Sequence, residues 1–332
     1  MKRTLSLVLL ALLLVGMFSA CRDAPGASSE TSSGALKAAI LLPGPISDIG
    51  WSGPAYQGLV RLRDELGFEI SFNEQIAASD YENVFRAYAQ AGYDIIFGHG
   101  NQFYETAAIT AEEFPDTFFA ITSGFMTNDK NICGINLSSR DVGFLVGALM
   151  GMMTENNQLG SVAGSEIPPL MGIVQGVEVG AKFVNPDAAL HNVFIGGADA
   201  ATAKEAGLAL VDMGCDILTT CADVGSIGVI NAATERGLFL VATAQDFAKQ
   251  APQTVLASVM TDITQTIFAI GEMYYAGTLE PRVYNFGIRE YAVTMTGYGE
   301  LEDDIPQEVK DKMQQIIDEI HSETLIVADL FD

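Results

Sequence analysis

Positive charge is scarce in this chain: 17 Lys and Arg stand against 42 Asp and Glu over 332 residues, a formal charge of -25. A partner bound through its phosphate backbone needs the opposite balance, so the composition argues against nucleic acid. Most of the acid reads as a solvated surface. Metal-ligand spacing is missing too: there is no CxxC and no HxxxH, and His99, His191 and His321 are scattered, so no metal is expected. Cys215 and Cys221 flank the strand-like run "CDILTTC", which when extended holds them roughly 20 Å apart, beyond disulfide reach. No catalytic signature occurs either. The chain has no GxGxxG after its first strand, no GxxxxGK[ST], no GxSxG and no HExxH, so neither an enzyme nor a cofactor is expected. "GHGNQF" (98–103) lacks the lysine and the full spacing of a phosphate loop.

What is present begins with "MKRTLSLVLLALLLVGMFSAC", two basic residues and an apolar run from about Leu5 to Gly16. This reads as a signal peptide over residues 1–20, too short and wrongly flanked to span a membrane. Its end, "FSAC", looks like a bacterial lipobox with Phe18 in place of the usual Leu, so acylation of Cys21 is expected, with simple secretion as the alternative. Lys2 and Arg3 leave with the leader and no acid does, which takes the formal charge from -25 to -27. Residues 21–35 read as a flexible Gly/Ser/Thr tether.

The rest alternates. "LKAAILLPG" (36–44) is a continuous apolar run of strand length, followed by a helix-like stretch near Gly53 to Leu66, then "FEISFNEQI", a helix opening at Ser79, and "YDIIFGHG". The pattern continues to "LFLVATA" (238–244). Strands buried on both faces and separated by helices predict doubly wound parallel sheets. Length and an apolar share of 49% favour two lobes. A faint echo supports them: "AGYDIIFGHGNQF" (91–103) and "MGCDILTTCADVG" (213–225) share Gly-x-Asp-Ile-aliphatic. "IPQEVKDKMQQIIDEIHSE" (305–323) predicts a docked amphipathic helix with Pro306 near its start.

In such sheets ligands bind at the carboxyl ends of the strands. The only tryptophan, Trp51, lies in the loop after the first strand. It either offers an aromatic face to a planar ligand or plugs a gap under its own loop. His99 either donates to a ligand or caps its turn.

"GFLVGALMGMMTENNQLGSVAGSEIPPLMGIVQGVEVGAKFVNP" (143–186), with its GFLxGxLxxxxT and GxxxGxxxP spacings, and "GVINAATERG" (228–237) resemble the basic membrane protein family of lipoproteins. These are substrate-binding components of ABC importers that include purine nucleoside receptors, and the likeness covers nearly the whole chain after the leader. It implies an α/β, type I periplasmic-binding-protein fold: two doubly wound Rossmann-like lobes joined by three crossovers and closing about a hinge. Lobe 1 is expected over 36–138 plus about 263–297, lobe 2 over 139–262, and residues 298–332 as a helix and strand packing on the lobes. Carried over by position, Trp51 would be the first stacking ring, with Ser47 and Asp48 beside it. Gly98 to Phe103, including His99, Gly100 and Phe103, would form the next loop of that lobe.

The departures from the family pattern bear on the ligand. Nucleoside-binding members usually carry an aspartate where this chain has Thr122, and an aspartate and a lysine where it has Ala244 and Thr261. Ribose hydroxyls would be poorly satisfied without them. Gly197 and Ala198 stand where a second ring is common. Relatives that bind free bases carry a "GW" and an "AQD"-like loop, which makes Asp223, Gln245 and Asp246 candidates for the base edge; Asp in such loops is equally an ordinary helix cap. The expectation is a lipid-anchored protein of the cell envelope that captures a purine nucleobase or related heterocycle and delivers it to an ABC permease. A purine nucleoside or riboflavin is the alternative ligand. A sensory or antigenic surface lipoprotein is the alternative of another class.

Overall fold

The computed structural model describes residues 34–48 and 50–331; the expected leader, Cys21 and all but the last two residues of the expected tether lie outside the described residues. The chain runs through β1 (Lys37–Leu41), α1 (Ser52–Leu66), β2 (Glu69–Asn73), α2 (Tyr81–Gln90), β3 (Ile95–Gly98), α3 (Tyr104–Glu113), β4 (Phe118–Thr122) and β5 (Ile132–Leu137). A second series follows: α4 (Ser139–Met153), β6 (Gln158–Ala163), α5 (Pro168–Val184), β7 (Ala189–Phe194), α6 (Ala200–Asp212), β8 (Ile217–Cys221), α7 (Ser226–Arg236), β9 (Phe239–Thr243) and β10 (Val255–Thr261). α8 (Ile263–Tyr275), β11 (Val283–Phe286), β12 (Val293–Met295) and α9 (Gln307–His321) complete it.

Two six-stranded sheets result, ordered β2-β1-β3-β4-β5-β11 and β7-β6-β8-β9-β10-β12. The first is parallel throughout, and in the second only the β10–β12 pair is antiparallel. Along β1 the side chains alternate between two cores. Ala38 and Ile40 pack with α1 and α8 on one face, Ala39 and Leu41 with α2 and α3 on the other, as a strand buried on both sides requires. The second sheet is likewise covered by α4, α5 and α9 on one face and by α6 and α7 on the other. The doubly wound reading therefore holds in both lobes.

The echo between 91–103 and 213–225 falls on β3 and β8, which occupy the same place in the two sheet orders. Its cause is structural. Gly92 and Gly214 take positive φ of 72° and 102°, where a side chain would be strained. The following aspartates then pin the start of the neighbouring strand: Asp94 accepts from the Lys37 amide at 2.6 Å. Asp216 accepts from the Thr154 hydroxyl and from the Glu155 and Asn156 amides at 2.7, 2.7 and 2.8 Å.

The glycines of the "GFLVGALMG" stretch have a packing reason. Gly143, Gly147 and Gly151 on α4 face Gly172, Gly176 and Gly180 on α5, and a Cβ at Gly147 or Gly180 would collide with the Val177 or Phe144 carbonyl. Only hydrogen at these positions lets two helix backbones touch.

Three segments connect the lobes: β5 to α4, β10 to α8, and β11 to β12. The first and third are latched together. Asp141 at the start of α4 is half-buried, and loss of solvent raises its pKa; its carboxylate accepts from the Ser138 hydroxyl at 2.6 Å and from the Ile288 amide at 2.9 Å. The expected end of lobe 1 near residue 297 is displaced, because β12 pairs with β10 in the second sheet, and the segment belonging to lobe 1 ends shortly after β11. After residue 298 the expected helix is α9, packed on the α4 face of lobe 2, but the expected strand is a 3-10 turn, Val327–Phe331.

Candidate ligand-binding cleft

The carboxyl ends of the two sheets face each other near the hinge. Asn136 and Asn285, near the ends of β5 and β11, share the wall of a cavity of about 750 Å³ with Pro168 and Met171 at the start of α5. That cavity is the larger one, but it is built from hinge segments and the C-terminal turn, and Arg289 and Glu290 in its wall are already paired with each other at 2.6 Å. The loops that gather polar and aromatic groups follow other strand ends, those of β1 and β3 in lobe 1 and of β6 to β9 in lobe 2.

On the lobe 1 side, the loop after β1 folds back on itself. Asp48 accepts from the Gly50 and Ser52 amides at 2.9 and 3.1 Å and caps α1. Those amide contacts hold its carboxyl below the usual range. Its charge is thus spent within the loop, while Ser47 is exposed. Trp51, half-buried at the head of α1, lays its ring over His99 at a centroid distance of 4.1 Å and an interplanar angle of 30°. His99 ends the β3 run and is fully buried. Its Nδ1 lies 2.9 Å from the hydroxyl of Thr122, the last residue of β4. When that hydroxyl donates, the ring proton sits on Nε2, which is buried with only the Trp51 backbone pulling on it. Burial pushes the His99 pKa down to about 4, against weaker opposing pulls from the Trp51 backbone and Asp48. At neutral pH the ring is therefore an uncharged donor.

Gly100 has φ 134°, and the Gln102 side chain occupies the space a Cβ would need. Phe103 corrects the sequence reading. It is fully buried among Tyr81, Phe85 and Phe119 on the α2–α3 face of the sheet, so it belongs to the core and offers nothing to a ligand.

On the lobe 2 side, the ends of β6, β7, β8 and β9 enclose a recess of about 350 Å³. Its shelf is backbone and methyl groups at Gly164, Gly197, Ala198 and Ala222, and larger apolar side chains, including Ile173 and Phe247, complete the wall. Asp223 and Gln245 are on the wall and exposed. Asp223 and Ala244 take positive φ of 52° and 70°, strain that non-glycine residues hold only when the surroundings enforce it. Asp246 does not join them: it pairs with Lys249 at 3.1 Å and is absent from the recess wall. The sequence reading missed the apolar wall residues, which look like strand-end core; their one signal was position at successive carboxyl ends. The three cysteines among the described residues are free and buried. Burial raises all three thiols, Cys221 on the recess wall to about 12.

Residues 35–330 match the family described as Bmp, ABC transporter substrate-binding protein PnrA-like. The chain belongs to that family. It is 30% identical over 296 residues to a Haloferax volcanii protein named as an ABC transporter glucose-binding protein, covering 88% of this chain and 74% of that one. It is 27% identical to a purine-binding protein of Brucella abortus, covering 81% and 77%. Among solved structures, an ABC transporter solute-binding protein from Conexibacter woesei matches with a TM-score of 0.69 at 22% identity, over 90% of this chain and all of that one. The protein is thus an ABC transporter substrate-binding protein of the Bmp family with a periplasmic-binding-protein fold, as the motifs at 143–186 led us to expect.

Proposed function

We propose that the protein is the lipid-anchored, extracytoplasmic receptor of an ABC importer, and that its lobes close on a neutral planar heterocycle of the purine nucleobase class. The observation that carries this reading is the Trp51–His99 stack, with an unpartnered buried Nε2 on the lower ring. Base-on-aromatic stacking tolerates any flat ring, and the buried, neutral His99 beneath Trp51 adds no charge that would call for an ionic ligand. Asp223 and Gln245 supply opposite polarity from the second lobe. Acylation of Cys21 would hold the receptor at the membrane surface, and its ligand would pass to the permease.

Glucose, bound by the Haloferax relative according to its name, fits this cleft less well. A sugar presents hydroxyls on every edge, and the recess wall is mainly hydrocarbon. Thermal unfolding of protein stripped of carried-over ligand, scanned against adenine, guanine, their nucleosides, riboflavin and glucose, tests the assignment. A ligand at a hundred times its Kd stabilises by about 2.7 kcal/mol. Stabilisation by glucose alone would overturn the heterocycle reading.

A further inference from the structure

The recess in lobe 2 has more room, and less polarity, than the edge of a flat base requires. We infer that the natural ligand is a planar heterocycle bearing an uncharged, mainly apolar substituent, and that this substituent seats in the recess between the β6 and β9 ends. The inference rests on the nucleobase reading above and narrows it.

Three observations carry it. The first is size. About 350 Å³ corresponds to roughly ten water-sized groups at ~30 Å³ each, enough for a benzyl or branched five-carbon group. The second is chemistry. No Lys or Arg lines the recess, and two of its hydroxyls are already engaged within the protein: Ser226 Oγ with the Thr220 hydroxyl and the Ala222 amide at 3.2 and 3.3 Å, and Thr243 Oγ1 donating to the Thr220 carbonyl at 2.7 Å. A phosphate placed there would meet the Asp223 carboxylate and no cation, and a sugar would find polar side chains chiefly at Ser165, Asp223 and Gln245, with hydrocarbon over most of the remaining wall. Ile167, Leu170, Ile173 and Phe247 would instead gain contact with hydrocarbon. The third is the opening. Gly197 lines the recess and a Cβ built on it meets nothing within 4 Å, so a larger side chain there has free space to occupy, and its φ lies outside the left-handed region that favours glycine.

Titration calorimetry on the refolded, ligand-stripped protein compares adenine, N6-benzyladenine and adenosine. The expected result is that N6-benzyladenine binds at least tenfold tighter than adenine and that adenosine binds more weakly than either. Gly197→Leu should abolish the preference for the benzyl compound, and circular dichroism reports whether that variant is folded; the wild-type comparison decides the matter in either case. If adenine binds and the benzyl group brings no gain, or if the gain survives in folded Gly197→Leu, this inference fails while the nucleobase reading stands. If neither adenine nor its derivative binds, both fall.

Discussion

Replacing His99 with glutamine removes one buried titration while keeping a group able to hydrogen-bond Thr122. The wild-type imidazole is fully buried and its pKa falls from 6.5 to about 4. Between those values the unfolded chain binds a proton that the folded chain refuses, so the unfolded state holds more protons and stability falls as pH falls. Above pH 6.5 the ring is neutral in both states and the cost is absent; below pH 4 the loss is complete. At 1.36 kcal/mol per pKa unit the window is worth about 3 kcal/mol. Urea unfolding followed by circular dichroism at steps from pH 7.5 to pH 4 measures it in both proteins. Carboxylate titrations contribute to each and cancel in the difference, leaving wild type minus variant to decline by about 3 kcal/mol on acidification. A difference that stays flat across the window would refute the account of a neutral, desolvated His99.

Other outcomes follow from the same geometry. Trp51→Ala should weaken binding of the best heterocycle by about 1–3 kcal/mol, the range for loss of one base-stacking ring, read as a Kd increase in calorimetry on the folded variant; the unfolding midpoint falls as well, because the ring packs on the lobe 1 core and covers His99. Gly147→Ala should destabilise by about 1–3 kcal/mol as an overpacking change, since its methyl would meet the Val177 carbonyl; an unchanged denaturant midpoint would count against the close α4–α5 contact. Asp216→Ala should cost more than Asp94→Ala. Asp216 serves three donors and Asp94 one, and a hydrogen bond of this kind contributes about 0.5–1.5 kcal/mol.

The strands and helices were legible because parallel strands buried on both faces must be continuous apolar runs, and "KAAIL", "IIFG" and "FLVAT" are short enough to exclude helices. The lobe boundary near 297 was not, because β12 is three residues long and its pairing with β10 is a tertiary fact with no local trace. In the cleft, Trp51 stood out as a lone indole in a polar loop, and the structure adds the partner beneath it. Phe103 misled for a related reason: an aromatic residue in a βα loop reads the same whether it points to the cleft or folds under into the core, and the 3-10 turn Asn101–Phe103 turns it under. The recess escaped notice because its wall comes from strand ends spread from Gly164 to Phe247, each ordinary by itself.

The carboxylate of Asp141 binds the first connection between the lobes to the third. The third connection is also held to the second, because the Asp262 amide, between β10 and α8, donates to the Ala292 carbonyl at 2.7 Å, so all three links are tied to one another. A swing of one half on the other would then turn about that joined set of links. A ligand held between Trp51 and Asp223 would feel that swing as a change in gap width, with little sideways shear, which suits a flat ring that must be gripped face-on and later let go whole.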